Sequence, residues 1–217
     1  MNFFLRAKHW QLFLLLFVVP LLLFAWAYYE MLLQLIPIEE GDQEQAMEIL
    51  KTNFSKFLLG GIISYLLLTA WMISIAIGLR PYTPELVRLK TTPFWINLAI
   101  PFLVYIYLFY FIQNIFGMDL NVPNPAAEIL PSIFILIVLS ILASASSLYL
   151  YYYTAKALKT AMKKHRVKFG TFVGEFAMLL FWYIGIWMIQ PDINKLIESE
   201  LNPELMEDDS NFENYDN

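Results

Sequence analysis

The chain has 217 residues, of which 59% are hydrophobic and 15% charged, with a mean hydropathy of +0.56; a soluble domain usually carries about 25% charged residues. The formal net charge of −5 hides a segregation, because basic side chains gather near alternate ends of long apolar runs while many acids fall in one loop and the C-terminal tail. There is no cysteine, which excludes disulfides, thiolate metal sites and thiol catalysis.

Several apolar runs reach roughly twenty residues, the length that crosses a hydrocarbon core as a helix. Aromatic side chains make up 17% of the chain, and many flank those runs, where interfacial belts form. The pattern specifies an all-α, polytopic transmembrane helical bundle of four to five spans.

The N-terminus, "MNFFLRAKHWQLFLLLFVVPLLLFAWAYY", has the basic start of a signal peptide. Its apolar part is too long and no small-x-small cleavage site follows, so it reads as an uncleaved first span over 10–29. Pro20 at its middle predicts a kink that neighbouring helices tolerate. Glu30 to Pro37 continue at the interface, and a polar, mostly acidic loop follows, in which Ala46, Ile49 and Leu50 share one face of a short amphipathic helix.

The second span covers 57–79, with Gly60 and Ser64 as a small-xxx-small pair suited to close helix packing. A short loop with Arg80, Arg88 and Lys90 leads to the third span over 94–116, which contains Pro101, Asn97, Gln113 and Asn114. A loop without basic residues precedes the fourth span over 132–153. That span carries Ser140, Ser144 and Ser147, a helix-packing stripe, and ends in "YLYYY". Lys156, Lys159, Lys163, Lys164, Arg166 and Lys168 come next and are expected to meet anionic lipid headgroups; each basic residue near such a surface contributes about 1 kcal/mol. The spacing of Lys156, Lys159, Lys163 and Arg166 extends the fourth helix along the headgroups.

Lys and Arg near the N-terminus, in the loop after the second span and after the fourth span all fall on one side. The positive-inside bias therefore places the N-terminus in the cytoplasm.

The last apolar stretch is the hard one. Phe176 to Ile189 would be about 21 Å long as a helix, short of a core of about 30 Å. A span over 170–189 is long enough but carries Glu175 into the membrane, at about 2.5–3.5 kcal/mol if it were central and less near an interface. A fifth crossing is the expectation. The alternative is a half-inserted helix or re-entrant hairpin that leaves the tail cytoplasmic. Beyond it, 191–205 is expected to form a short interfacial helix with Ile193, Leu196, Ile197 and Leu201 on one side, and 206–217 a disordered acidic tail.

Glu175 is the acid with the strongest functional claim, as a buried carboxylate that carries protons or binds a cation. The blander reading pairs it with Lys168 or Arg166 at headgroup level. Asn97, Gln113, Asn114 and Glu30 complete a candidate polar path, although interhelical hydrogen bonding is the simpler account of them. His9 and His165 are the only histidines, and neither has the context of a nucleophile's base. No phosphate-binding glycine loop, dinucleotide fingerprint or metal-ligand cluster occurs in the sequence, so no cofactor, no metal and no nucleic-acid partner is expected. No internal repeat suggests the inverted halves of many transporters.

The block "VKFGTFVGEFAMLLFWYIGIWMIQPDINKLI" carries Phe169, Gly170, Gly174, Glu175, Phe176, Ile184 to Trp187, Ile189 to Pro191, Ile193, Asn194 and Lys195. It resembles a C-terminal pattern in uncharacterised multi-spanning inner-membrane proteins of the Bacteroidota, with Asp192 where the pattern has a basic residue. The resemblance covers this block alone and implies an organism group and a membrane, with no activity attached. Pro191 within it predicts a bend at a membrane surface, with Asp192 capping the next short helix.

The expected function is that of a non-enzymatic integral protein of a bacterial inner membrane, a subunit or assembly partner of a larger transport-type complex. Its expected partners are the bilayer, anionic lipid headgroups and other membrane subunits or itself. The competing readings are a small homo-oligomeric channel or a cation- or proton-coupled transporter using Glu175, and, third, an enzyme acting on lipid.

Overall fold

The computed structural model describes residues 2–37, 43–116 and 125–201. The loop residues 38–42 and 117–124, the last part of the expected interfacial helix at 202–205 and the acidic tail over 206–217 lie outside the described residues.

The described chain is helical, with no strand among the described residues. Short helices α1 (Asn2–Arg6) and α2 (His9–Phe13) precede a π-helical turn, Leu14–Val18, which runs into α3 (Val19–Leu35). Then come α4 (Gln43–Gly78), α5 (Thr92–Phe116), α6 (Pro125–Lys163), α7 (Phe169–Leu180) and α8 (Trp182–Leu201). Among the described residues, four helical stretches are long and apolar enough to cross a membrane: His9–Leu35, Gln45–Gly78, Thr92–Phe116 and Ile129–Lys163. A helix satisfies its main-chain groups internally, which hydrocarbon demands.

Pro20 does not kink the middle of a regular helix. The chain widens into the π-helical turn just before it, and Pro20 stands in the first turn of α3, where its missing N–H costs least. α4 absorbs the short amphipathic helix expected before the second span, and its 36 residues extend about 54 Å. α6 runs on to Lys163, carrying Lys156, Lys159 and Lys163 as a continuation of the span, and ends before Arg166.

The stretch expected as one fifth span is two helices. α7 ends at Phe181, which leaves the helical region at φ −100 and ψ 52. Close approach explains the sharpness of the break, because a Cβ on Gly185 would lie 2.0 Å from the carbonyl oxygen of Met178, so only glycine fits there. The bend expected at Pro191 is absent, and α8 continues through it. Burial of Ile189, Gln190, Ile193 and Ile197 along one face holds that turn in place despite the lost hydrogen bond. α7 leaves from the segment after Lys164, and Glu200 near the end of α8 pairs with Lys164 again. The chain thus enters and leaves the helical pair near the end of α6.

The chain forms two compact units, and α4 and α6 contribute to both. One unit combines Met1–Phe13, Ala70–Thr91 and Tyr151–Asn217. Trp71, Ile75, Ala155, Leu158, Phe172, Leu179, Ile186 and Ile193 make its interior, and α8 packs on α1, α2 and α7. The second unit combines Leu14–Thr69 and Thr92–Leu150. There Gly60 lets α4 close on Phe24, whose Cε1 would sit 3.1 Å from an added Cβ. Tyr65 donates to the Leu98 carbonyl at 3.1 Å, and Tyr107 donates to that of Ser132 at 3.1 Å. Lys56 pairs with Glu30, and Asn53 donates to Gln34 Oε1 at 3.1 Å.

Candidate functional site

Glu175 is positioned by α7. Phe172, Glu175 and Leu179 share one helical face, and Phe172 and Leu179 are fully buried. Phe172 meets Tyr152 of α6 edge-on with ring centroids 5.3 Å apart, which turns this face toward α6. Lys159, two turns beyond Tyr152, then reaches Glu175 Oε1 at 2.5 Å, with the two side chains only 19% and 15% exposed. The partner is neither Lys168 nor Arg166, the sequence neighbours, but a residue expected to face headgroups. A carboxylate so held in a mostly apolar setting is a neutralised pair, and removing either member leaves the other charge partly buried.

The amides of α5 do not gather into a path. Asn97 donates to the Pro93 carbonyl at 2.8 Å, and Asn114 donates to that of Tyr110 at 3.0 Å, each within its own helix. They lie about 26 Å apart along the axis at 1.5 Å per residue. Gln113, beside Asn114, is half-buried. His9 packs on Trp187 with centroids 4.7 Å apart, while His165 Nδ1 sits 2.8 Å from the Lys163 carbonyl oxygen. Among the described residues no group of His, Asp and Glu could hold a metal ion.

The helix-packing residues divide. Gly60 is buried, and Ser64 donates to the Gly60 carbonyl at 2.7 Å. Ser140 and Ser144 are exposed, Ser144 donating to the Ser140 carbonyl at 2.8 Å, and Ser147 is half-buried. Only 6% of the most apolar stretch of this helix is buried within the chain, against 39% in α4.

The basic residues also divide. Lys163 and Lys168 are exposed. Lys156 lies 3.4 Å from the Tyr152 hydroxyl. Lys164, in a left-handed conformation at φ 58, donates to the Tyr82 carbonyl at 2.6 Å as well as to Glu200. That backbone costs a non-glycine residue roughly 1 kcal/mol, which the clamp on the loop offsets.

Gln190 is the polar residue that sequence reasoning missed. It is fully buried. Its Oε1 accepts from Trp71 Nε1 at 3.1 Å. Its Nε2 lies 3.0, 3.1 and 3.1 Å from the carbonyl oxygens of Phe4, Leu5 and Ala7, and 3.2 Å from Asn194 Oδ1. Those carbonyls belong to the end of α1, where a helix runs out of internal donors. One side chain of α8 thereby caps α1 and ties it to α4.

No family model, no curated protein and no solved structure matches the chain. The functional reading therefore rests on its own residues.

Proposed function

We propose that this membrane protein is a non-enzymatic subunit or assembly partner of a larger transport-type complex in a bacterial inner membrane, with its N-terminus and basic segment in the cytoplasm. The observation that carries the reading is the outward face of α6. Between hydrocarbon and helix there is no hydrophobic force to drive association, so contacts form where small residues let backbones approach closely. Ser140 and Ser144 offer that surface, and the Ser144 hydroxyl is satisfied within its own helix. A partner helix can close on the stripe without stranding that group.

The polar residues favour this reading over coupled transport. Glu175 is committed to Lys159, and Asn97 and Asn114 to their own helices. A proton- or cation-coupled cycle would have to break the Glu175 pair at every turnover.

Purification from the native membrane in mild detergent, followed by native mass spectrometry, tests the proposal. The expected result is a stoichiometric heteromeric species that Ser140→Leu with Ser144→Leu dissociates, while the helical content of the chain is retained. A complex that survives both substitutions, or a species containing only this chain, overturns it. A homo-oligomer whose cation or proton flux is abolished by Glu175→Gln would instead establish the transporter reading.

A further inference from the structure

One end of α6 and the loop after α4 enclose an open cleft of about 330 Å³ lined by Val87, Arg88, Leu89, Lys90, Lys156, Thr160, Arg166 and Val167. Four of these side chains are cationic and none is a carboxylate. Glu85, the acid nearest in sequence, takes Arg88 Nη1 at 3.2 Å from outside the lining, with its side chain 86% exposed. The cleft is built rather than incidental. Arg88 Nε donates to the carbonyls of Arg80 and Thr83 at 3.1 and 3.0 Å, which fixes its guanidinium plane. Arg166 Nη2 reaches the Leu86 carbonyl at 3.5 Å, and Lys164 the Tyr82 carbonyl at 2.6 Å, so the two sides are tied together.

A second observation points inward. A narrow cavity of about 10 Å³ shares Arg88, Leu89 and Thr160 with the cleft and is also lined by Arg80. Arg80 Nε is buried with no hydrogen-bond partner among the described residues. A buried donor left unpaired is costly, and four cations around one space repel one another. An oxyanion in the cleft answers that repulsion, and fixed guanidinium planes beside lysine ammonium groups suit phosphate oxygens.

We propose that this cleft binds a phosphate group, presented either by an anionic lipid headgroup or by a soluble phosphate compound. It goes beyond the subunit reading and does not depend on it. Unlike diffuse attraction to a charged surface, it assigns the binding to Arg88, Lys90, Lys156 and Arg166 and leaves Lys163 and Lys168 outside.

The test uses the purified full chain in phosphate-free neutral detergent, titrated with short-chain phosphatidylglycerol and, separately, with inorganic phosphate, and read by native mass spectrometry. Two triple variants carry equal charge loss: Lys90→Gln, Lys156→Gln and Arg166→Gln in the cleft, and Lys163→Gln, Lys168→Gln and Lys195→Gln outside it. The cleft variant is expected to weaken binding about tenfold or more, as loss of several charge-assisted contacts should, and the outer variant by less than about twofold, as screened surface charges do. Binding of the lipid alone identifies a headgroup, and competition by inorganic phosphate a soluble ligand; either supports the cleft. Equal losses in both variants, or no binding of either probe, overturn it. Should the triple variant misfold, the single exposed Lys90→Gln must still weaken binding more than Lys163→Gln does.

Discussion

Replacing Gln190 by Leu keeps the volume and removes the polar contacts by which this side chain ties α8 to α1 and α4. The Trp71 indole N–H, with its ring fully buried, loses its acceptor, the Gln190 amide oxygen. A buried donor without a partner costs about 1–3 kcal/mol. The carbonyl of Leu5, whose residue is 5% exposed, loses its donor as well, whereas Ala7 retains a bond from Asn194 Nδ2 at 3.3 Å. One orphaned donor and one orphaned carbonyl together predict a destabilisation of about 2–5 kcal/mol. The wild type, Gln190→Leu, Trp71→Phe and the double variant are to be unfolded in mixed micelles by increasing denaturing detergent and followed by far-ultraviolet circular dichroism. Phenylalanine removes the orphaned donor, so the double variant should be more stable than the sum of the singles predicts, by about 1–3 kcal/mol. Additivity within about 0.5 kcal/mol would refute the reasoning, since independent sites add to that tolerance. Freed of its cap, α1 should also become more open to trypsin at Arg6 and Lys8 in the Gln190→Leu protein.

Two further outcomes follow from the α7–α8 hairpin. Gly185→Ala should destabilise the protein by about 3 kcal/mol or more, at the upper end of overpacking effects, because its Cβ would meet the Met178 carbonyl oxygen at 2.0 Å. Gly174→Ala, with nothing within 4 Å of an added Cβ, should be neutral or stabilising by about 0.5–1 kcal/mol, as expected at a helix interior; the same melting series compares them, and equal effects would mean the hairpin turn is not packed as described. Cysteines placed singly at Lys168 and Glu198 should label from the same side of the membrane in spheroplasts, since the chain returns to Lys164, and labelling from opposite sides would establish the fifth crossing.

What could be read from the sequence is what hydropathy controls. The third span, expected at 94–116, forms over Thr92–Phe116, and the spacing of Lys156, Lys159 and Lys163 rightly extended the fourth helix. Length and apolarity act locally and leave their mark in every window. The hairpin break does not. It falls at Phe181, where no proline or glycine marks it, and depends on Gly185 meeting Met178 across the turn. Pro191, the visible breaker, is carried inside α8 because four buried side chains around it hold the helix against α1, α2 and α4.

The polar contacts were harder still, and for a reason that separates two kinds of site. Glu175 is conspicuous by its charge, and sequence proximity offers Lys168 and Arg166 as its partners. The facing of α7 on α6 selected Lys159 instead, a choice made by helix faces rather than by chain distance. Gln190 is inconspicuous, because three of its partners are backbone carbonyls that look alike in any sequence, 183 to 186 residues away. A carbonyl becomes specific only where a helix ends and its internal donors run out. α1 ends in an interior position, so some side chain had to supply the donor, and an uncharged amide does so without burying a charge. The buried Gln190 is therefore neutral, while the visibly charged cluster is left open at the cleft, where a ligand rather than the chain completes it.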